Sequence, residues 1–243
     1  MNKENKKKYW ENRLQEDNED LPVIEFLDKL DKNQSYQLLE VGSGLCRFVD
    51  KIKDIYPNIK ITCLDINPDL AKIAKDKGYE TINLSFLNNS IKTDTFDIVH
   101  CSHVIEHFGY PEITFVLDEL LRITKIDGYC IIRSPLMWEM FYYDLDHIRV
   151  YPPLSIMHYF TNKQQQKKGE SEIKNINLWY RTSPIQFKPI DKSNLLCGIP
   201  FLRNIWNNHL HKKTNKRFEK MWGKYRYPAT KPNGYVLILQ KKS

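Results

Sequence analysis

Apolar residues in this chain come in short bursts, and the bursts follow two different periods. Leu38-Leu39 with Val41, Ile61–Leu64, Phe96–Cys101, Tyr129–Ile132 and Tyr235–Leu239 are compact runs of strand length. Between the third and fourth, Ile113, Val116, Leu117, Leu120 and Leu121 are spaced as one face of a helix. Pro111-Glu112 opens that helix with proline in the first turn, where its missing N–H is harmless. Lys125-Ile126-Asp127-Gly128 is expected to close it. A second amphipathic helix is predicted around Val23, Ile24, Phe26, Leu27 and Leu30, and the polar stretch from Gln164 to Glu170 reads as a surface loop.

Two of the strands end in chemistry. The run ending at Val41 breaks into Gly42-Ser43-Gly44 and then resumes as a helix, a turn that brings a ligand close to bare backbone. The second run ends at Asp65, about 20 residues on, the position of an acid that accepts from two ribose hydroxyls. Together they point to an adenosine-type cofactor at the edge of a parallel sheet. A dinucleotide is a poor fit, because the third small residue of that fingerprint is replaced here by Arg47. Glu40, two residues before the first glycine, would repel a pyrophosphate and attract a cation.

The pattern Glu40-x-Gly42-x-Gly44 resembles motif I of class I S-adenosylmethionine (SAM) dependent methyltransferases. Phe96-Asp97-Ile98-Val99 followed by Ser102 and Glu106-His107 is similar to that family's fourth strand and the turn after it. The resemblance covers about residues 35–135 in the family's order. It implies an α/β fold, a Rossmann-like, doubly wound sheet of seven mostly parallel strands with an elaborated C-terminal acceptor-binding region. The implied layout is a single domain over residues 1–243: N-terminal cover helices to 34, a SAM-binding core over 35–135, acceptor-binding insertions over 136–230 and a terminal strand over 231–243. Tyr9-Trp10-Glu11 would belong to a cover helix.

Carried over residue by residue, the resemblance places Glu40 near the cofactor's positively charged methionine end, with Gly42, Ser43 and Gly44 lining the loop. Asp65 would hold the ribose and Ile66 would cover one adenine face. The acid the family often places near the adenine amino group falls here at Ser85, so Ser85 or the Phe86 backbone would substitute. Ser102 and His103 would lie near the transferable methyl group. The third glycine of motif I is Cys46 in this chain.

The acceptor side is read from His103, Glu106 and His107, at i, i+3 and i+4, which one helical turn would place on one side. His-x-x-Glu-His alone is the inverted zincin motif, but a zincin carries it inside a long helix and here it follows a strand. Asp144-Leu145-Asp146-His147-Ile148-Arg149-Val150-Tyr151 resembles a segment of sugar and surface-polysaccharide methyltransferases. A related arrangement holds a divalent ion in small-RNA 2′-O-methyltransferases, which makes His103, Glu106, His107 and His147 candidate ligands. Mixed His/Glu donors suit Mn, Fe or Zn. Three roles stay open for these residues: a metal site, a general base or acceptor anchor at His103, His107 or His147 without metal, or plain hydrogen bonding. Arg149, Tyr151 and Tyr143 are candidates to line the acceptor mouth, with Arg149 suited to a phosphate or carboxylate.

Composition narrows the setting. With 243 residues the chain can bury a sizeable core, and no apolar run is long enough to span a membrane. Five cysteines, mostly in strand-like runs, read as reduced core residues, and a cytoplasmic location is expected. Net charge is +7, and Arg203, Lys212, Lys213, Lys216, Arg217, Lys220, Lys224 and Arg226 crowd one late segment. The expected acceptor is a hydroxyl on a small or glycan-like, possibly phosphorylated molecule, such as a surface-polysaccharide or capsule precursor. The basic segment keeps RNA as an alternative substrate. The altered third glycine and missing adenine-side acid keep a non-catalytic SAM-binding partner subunit as another.

Overall fold

The structure, a computed structural model, describes residues 20–138, 141–161, 169–184 and 230–243, with short pieces between 205 and 217. The chain divides into two compact units, Met1–Arg181 with Asn233–Ser243, and Thr182–Pro232. The expected cover helix at Tyr9, the loop at 164–168 and most of the basic segment lie outside the described residues.

The first unit is built on a seven-stranded sheet in the order β3-β2-β1-β4-β5-β7-β6. Its strands are β1 (Tyr36–Val41), β2 (Ile59–Leu64), β3 (Glu80–Ile82), β4 (Phe96–Ser102), β5 (Thr124–Pro135), β6 (Ile173–Pro184) and β7 (Thr230–Lys241). β1 to β5 run parallel, and β7 returns antiparallel to β5. The helices are α1 (Leu21–Leu27), α2 (Arg47–Ile52), α3 (Pro68–Asp76), α4 (Glu112–Ile123) and α5 (Pro153–Thr161). The strand order reverses between β1 and β4, which opens a crevice above their carboxyl ends, where such sheets bind ligands.

Both faces of the sheet are covered, which explains why its central strands are continuous apolar runs. Leu39, Val41, Val99 and Cys101 pack with the α4 stripe of Val116, Leu117, Leu120 and Leu121. Leu38, Ile98 and Ile131 face the other way, onto Val23, Phe26, Phe48 and Val49 of α1 and α2. The expected helical faces of α1 and α4 are the buried ones. Cys63, Cys101 and Cys130 are free thiols in the core.

Two elements differ from the sequence expectation. Residues 125–128 do not close α4: the helix stops at Ile123, and Thr124 already pairs with Phe96 in β5. The register then shifts between Phe96 and Ile98, and Asp127 takes a left-handed φ of 60° at the irregularity. Pairing with the next strand won over continuing the helix. β6 was not expected; Asn175 and Asn177 on one parity and Lys174 on the other mix polar with apolar residues, so no period of two stands out.

Candidate active site

The turn after β1 is held in a conformation that the sequence makes easy at two of three strained positions. Gly42 and Gly44 have φ of 71° and 52°, left-handed values glycine adopts without penalty. Gly42 has a second constraint, because a Cβ there would lie 2.4 Å from Val104 Cγ2. Gly44 faces open space. Cys46 is also left-handed, at φ 63°, and stands where the family's third glycine stands. The third left-handed position of the loop is therefore held by a non-glycine residue, at a strain of about 1 kcal/mol. Burial pushes the Cys46 thiol pKa up, and Cys63 beside it is raised further, so both are inert packing groups.

The loop is tied down by its own amides. Gly42 and Ser43 N–H both donate to Leu64 O, at 2.8 and 3.1 Å. Gly44 N–H donates to Asp65 Oδ2 at 2.8 Å, and Asn67 N–H donates to Asp65 Oδ1 at 2.9 Å. Each Asp65 oxygen keeps a second lone pair, which is what two ribose hydroxyls require. Ser43, expected to line the cofactor, is buried beside the cysteine thiols, so its side chain is directed into the core. Ile66, just past the end of β2, is 68% exposed. Asn83 was missed by sequence reasoning: its Nδ2 donates to Asp65 O and Ile66 O at 2.8 and 3.1 Å, and it holds that turn from below. Ser85 is half-buried ahead of a short 3-10 turn, while the Phe86 side chain belongs to the core.

On the other side of the crevice the chain leaves β4 at Ser102 and makes a 3-10 turn, Ile105–His107, in place of an α-helical one. Three of the four expected acceptor-side residues converge. One donor atom each from Glu106, His107 and His147 lies within 4.8 Å of the other two, and the two imidazole centroids are 5.0 Å apart. His103, with a left-handed φ of 56°, is outside that mutually close trio but touches it, its Nδ1 lying 3.2 Å from Glu106 Oε1. Glu106 is fully buried, and Ser134 Oγ donates to its other oxygen at 3.1 Å. The Glu106 carbonyl also accepts from the amides of Ile148 and Arg149, which ties the His147 segment to the turn after β4.

The two histidines are set in the same tautomer. His107 Nδ1 lies 3.1 Å from Asp146 O and His147 Nδ1 lies 2.7 Å from Phe141 O. A carbonyl can only accept, so each Nδ1 carries a proton, and Nε2 is the nitrogen left to accept when the ring is neutral. That is the form needed by a general base or a metal ligand. Arg149 is exposed, with its guanidinium 5.8 Å from the Tyr151 ring centroid. Tyr151 itself is buried, and its hydroxyl donates to Phe108 O at 2.7 Å. Burial pushes its phenol pKa up, against the pull of Arg149. Tyr151 thus props the loop from inside, while Tyr143, 70% exposed, faces outward.

Residues 39–132 match the family model described as a methyltransferase domain. Over that stretch the chain is similar to the SAM-dependent methyltransferases, and it shares their fold. Malonyl-acyl-carrier-protein O-methyltransferase 1 of Ilyobacter polytropus is 39% identical over 59 residues, 24% of this chain and 22% of that protein. An uncharacterised protein of Methanocaldococcus jannaschii is 32% identical over 106 residues, 44% of each chain. The chain therefore matches less than half the length of these curated relatives. A SAM-dependent methyltransferase from Archaeoglobus fulgidus shares the fold at a TM-score of 0.57, with 18% identity over 91% of this chain and 92% of that one. The matched interval holds the whole motif I loop, Asp65 and the Glu106-His107 turn, and stops before the His147 segment. Among the described residues no helix is long and apolar enough to cross a membrane.

Proposed function

We propose that the protein is a cytoplasmic enzyme that methylates a hydroxyl oxygen of a small, glycan-like acceptor, such as a sugar of a surface-polysaccharide or capsule precursor. The observation that carries this reading is the pair of histidines, His107 and His147, each with its Nδ1–H fixed on a backbone carbonyl, which leaves Nε2 as the proton-accepting nitrogen beside buried Glu106, that of His147 lying 3.8 Å from Asp144 Oδ2. A hydroxyl must lose its proton as it attacks, and a neutral imidazole is the side chain best suited to take it near pH 7. The O-methyltransferase named among the relatives supports oxygen as the target atom.

SAM supplies an electrophilic methyl group, already activated by its sulfonium charge. The protein's share is alignment and charge. Gly42 and Gly44 let the cofactor approach the backbone, Asp65 holds the ribose, and Ile66 covers the adenine beside Ser85 and the Phe86 backbone. Glu40 sits at the methionine end, and Ser102 and His103 stand at the end of β4 nearest the methyl group. His107 or His147 takes the acceptor proton, and exposed Arg149 and Tyr143 bind the acceptor, Arg149 favouring an anionic group. Two imidazoles and a carboxylate also fit Mn, Fe or Zn, and such an ion would lower the acceptor hydroxyl's pKa in place of a base.

The test is calorimetric titration of S-adenosylhomocysteine into metal-analysed protein, followed by transfer of labelled methyl from SAM to a panel of nucleotide sugars and phosphosugars. Label recovered in alkali-stable methyl ethers is the expected result. Label only in amines, in RNA, or in nothing despite tight cofactor binding overturns the acceptor reading. Activity indifferent to chelator and added Mn removes the metal and leaves the histidines as bases.

A further inference from the structure

One buried polar contact at the foot of the cofactor loop joins Glu40 to a residue given no role above. His100, in the middle of β4, is fully buried, and its Nδ1 lies 2.6 Å from Glu40 Oε2 on the neighbouring strand β1. The two residues are direct partners in the parallel register. Both side chains point to the α1–α2 face of the sheet, the face of Leu38 and Ile98, where Phe48 of α2 stacks on the imidazole at 4.4 Å between centroids. The other imidazole nitrogen, Nε2, has no hydrogen-bond partner among the described residues.

A histidine is an expensive way to fill this position. Its neighbours Ile98, Val99 and Cys101 show that an apolar side chain suits the strand. An orphaned buried nitrogen costs roughly 1–3 kcal/mol. What the imidazole provides in return is a short, charge-assisted hydrogen bond to one oxygen of Glu40. That contact fixes the carboxylate's rotation and leaves Oε1 as the oxygen able to meet a ligand. A carboxylate two residues before Gly42, with one oxygen anchored and the other free, is a preorganised acceptor for a cation delivered to the loop.

We infer that His100 is a positioning residue for the cofactor, holding Glu40 so that its free oxygen receives the ammonium of the methionine moiety. This rests on the reading that the domain binds SAM with Glu40 at that end. His100 touches neither cofactor nor acceptor; it acts through Glu40.

The inference is separable from a general structural role by comparing two ligands that differ at the amino-acid end. S-adenosylhomocysteine carries the ammonium, and 5′-methylthioadenosine has the same nucleoside and sulfur without it. His100→Leu is expected to weaken S-adenosylhomocysteine about 10- to 100-fold while 5′-methylthioadenosine stays within about twofold. His100→Asn, which keeps an N–H donor near the Nδ1 position, is expected to restore most of the selectivity. In the wild-type protein the His100 Nδ1 proton resonance should shift on adding S-adenosylhomocysteine and hold still on adding 5′-methylthioadenosine, a readout that needs no variant to fold. Equal losses for both ligands in His100→Leu, or identical resonance shifts with both, overturn the inference. Wild-type protein that binds neither ligand overturns the SAM reading beneath it, which is a different and recognisable result.

Discussion

Asp65 accepts the Gly44 amide at 2.8 Å, so the end of β2 is bonded to the tip of the loop that follows β1. Its other oxygen accepts from Asn67 N–H, and Asn83 supports the same turn through the Asp65 carbonyl. The residue expected to hold the ribose is thus also the residue that sets the shape of the motif I loop. A cofactor arriving here would meet a loop and a carboxylate already fixed relative to each other, and little ordering would be charged against binding.

Replacing Asp65 should therefore affect both binding and stability. In Asp65→Ala two backbone amides lose their acceptor as well as the ribose losing its own. We expect S-adenosylhomocysteine affinity to fall at least about 100-fold by calorimetry, and unfolding stability to drop by roughly 1–3 kcal/mol without ligand. Asp65→Asn keeps an acceptor oxygen for one amide and should fall between the two. A variant that loses affinity at unchanged stability would show that the loop does not depend on this tether.

Gly42 carries a different constraint, steric as well as conformational. An alanine there would push Cβ into Val104 at φ 71°, so Gly42→Ala is expected to cost roughly 2–4 kcal/mol. Val104→Ala in the same chain removes the clash and leaves the backbone strain. The double variant should then be more stable than the sum of the two single effects by about 1 kcal/mol or more, measured as a coupling in denaturant unfolding. Simple additivity would mean that the loop, not Val104, gives way.

How far the sequence could be read follows from how local each signal is. Motif I and Asp65 are strand-end patterns a few residues long, and the structure ties the two to each other through the Gly44 amide. The absent third glycine was legible only as a departure; that Cys46 keeps the left-handed backbone is a matter of how the loop packs, which no residue type states. His107 and His147 lie 40 positions apart, and their approach depends on the Glu106 carbonyl capturing the Ile148 and Arg149 amides, a backbone contact with no sequence signature. Tyr151 looked like a mouth residue because its segment resembles one in sugar methyltransferases; in the structure it is buried, with its hydroxyl bonded to Phe108 O. His100 passed as one more residue of an apolar strand, although a histidine in register with the motif I acid was a signal that could have been used.

Asp20 gives a prediction about pH. Burial opposes its charge, but the Arg133 guanidinium at 2.7 Å and the Lys51 ammonium outweigh that and hold its pKa below the usual carboxylate value. A folded pKa below the unfolded one adds stability that is fully present above about pH 4 and lost as pH falls through the folded value. Asp20→Asn should be less stable than wild type at pH 7 by roughly 1–3 kcal/mol. The gap should narrow as both are titrated below about pH 4, followed by thermal melting at constant ionic strength. A gap that stays constant to pH 2 would mean that Asp20 is not charged in the folded protein.

The sharpest separation of roles is expected at His147. Its ring is held by the Phe141 carbonyl, packs on the Phe141 side chain with the ring centroids 4.7 Å apart, and turns Nε2 to within 3.8 Å of Asp144 Oδ2, all within its own segment. His147→Ala should then leave S-adenosylhomocysteine affinity within about twofold and lower turnover of a hydroxyl acceptor by about 10²- to 10⁴-fold. His147→Gln keeps polarity and loses the base, so it should be nearly as slow. If His147 is the base, kcat/KM in wild type should show an acid limb, because the protonated ring cannot accept, and the residual activity of His147→Gln should lose that limb. If the limb persists in His147→Gln and disappears in His107→Gln, the proton goes to His107 and His147 serves to orient the acceptor. Persistence in both variants would place the base outside this pair and remove the observation on which hydroxyl methylation was proposed.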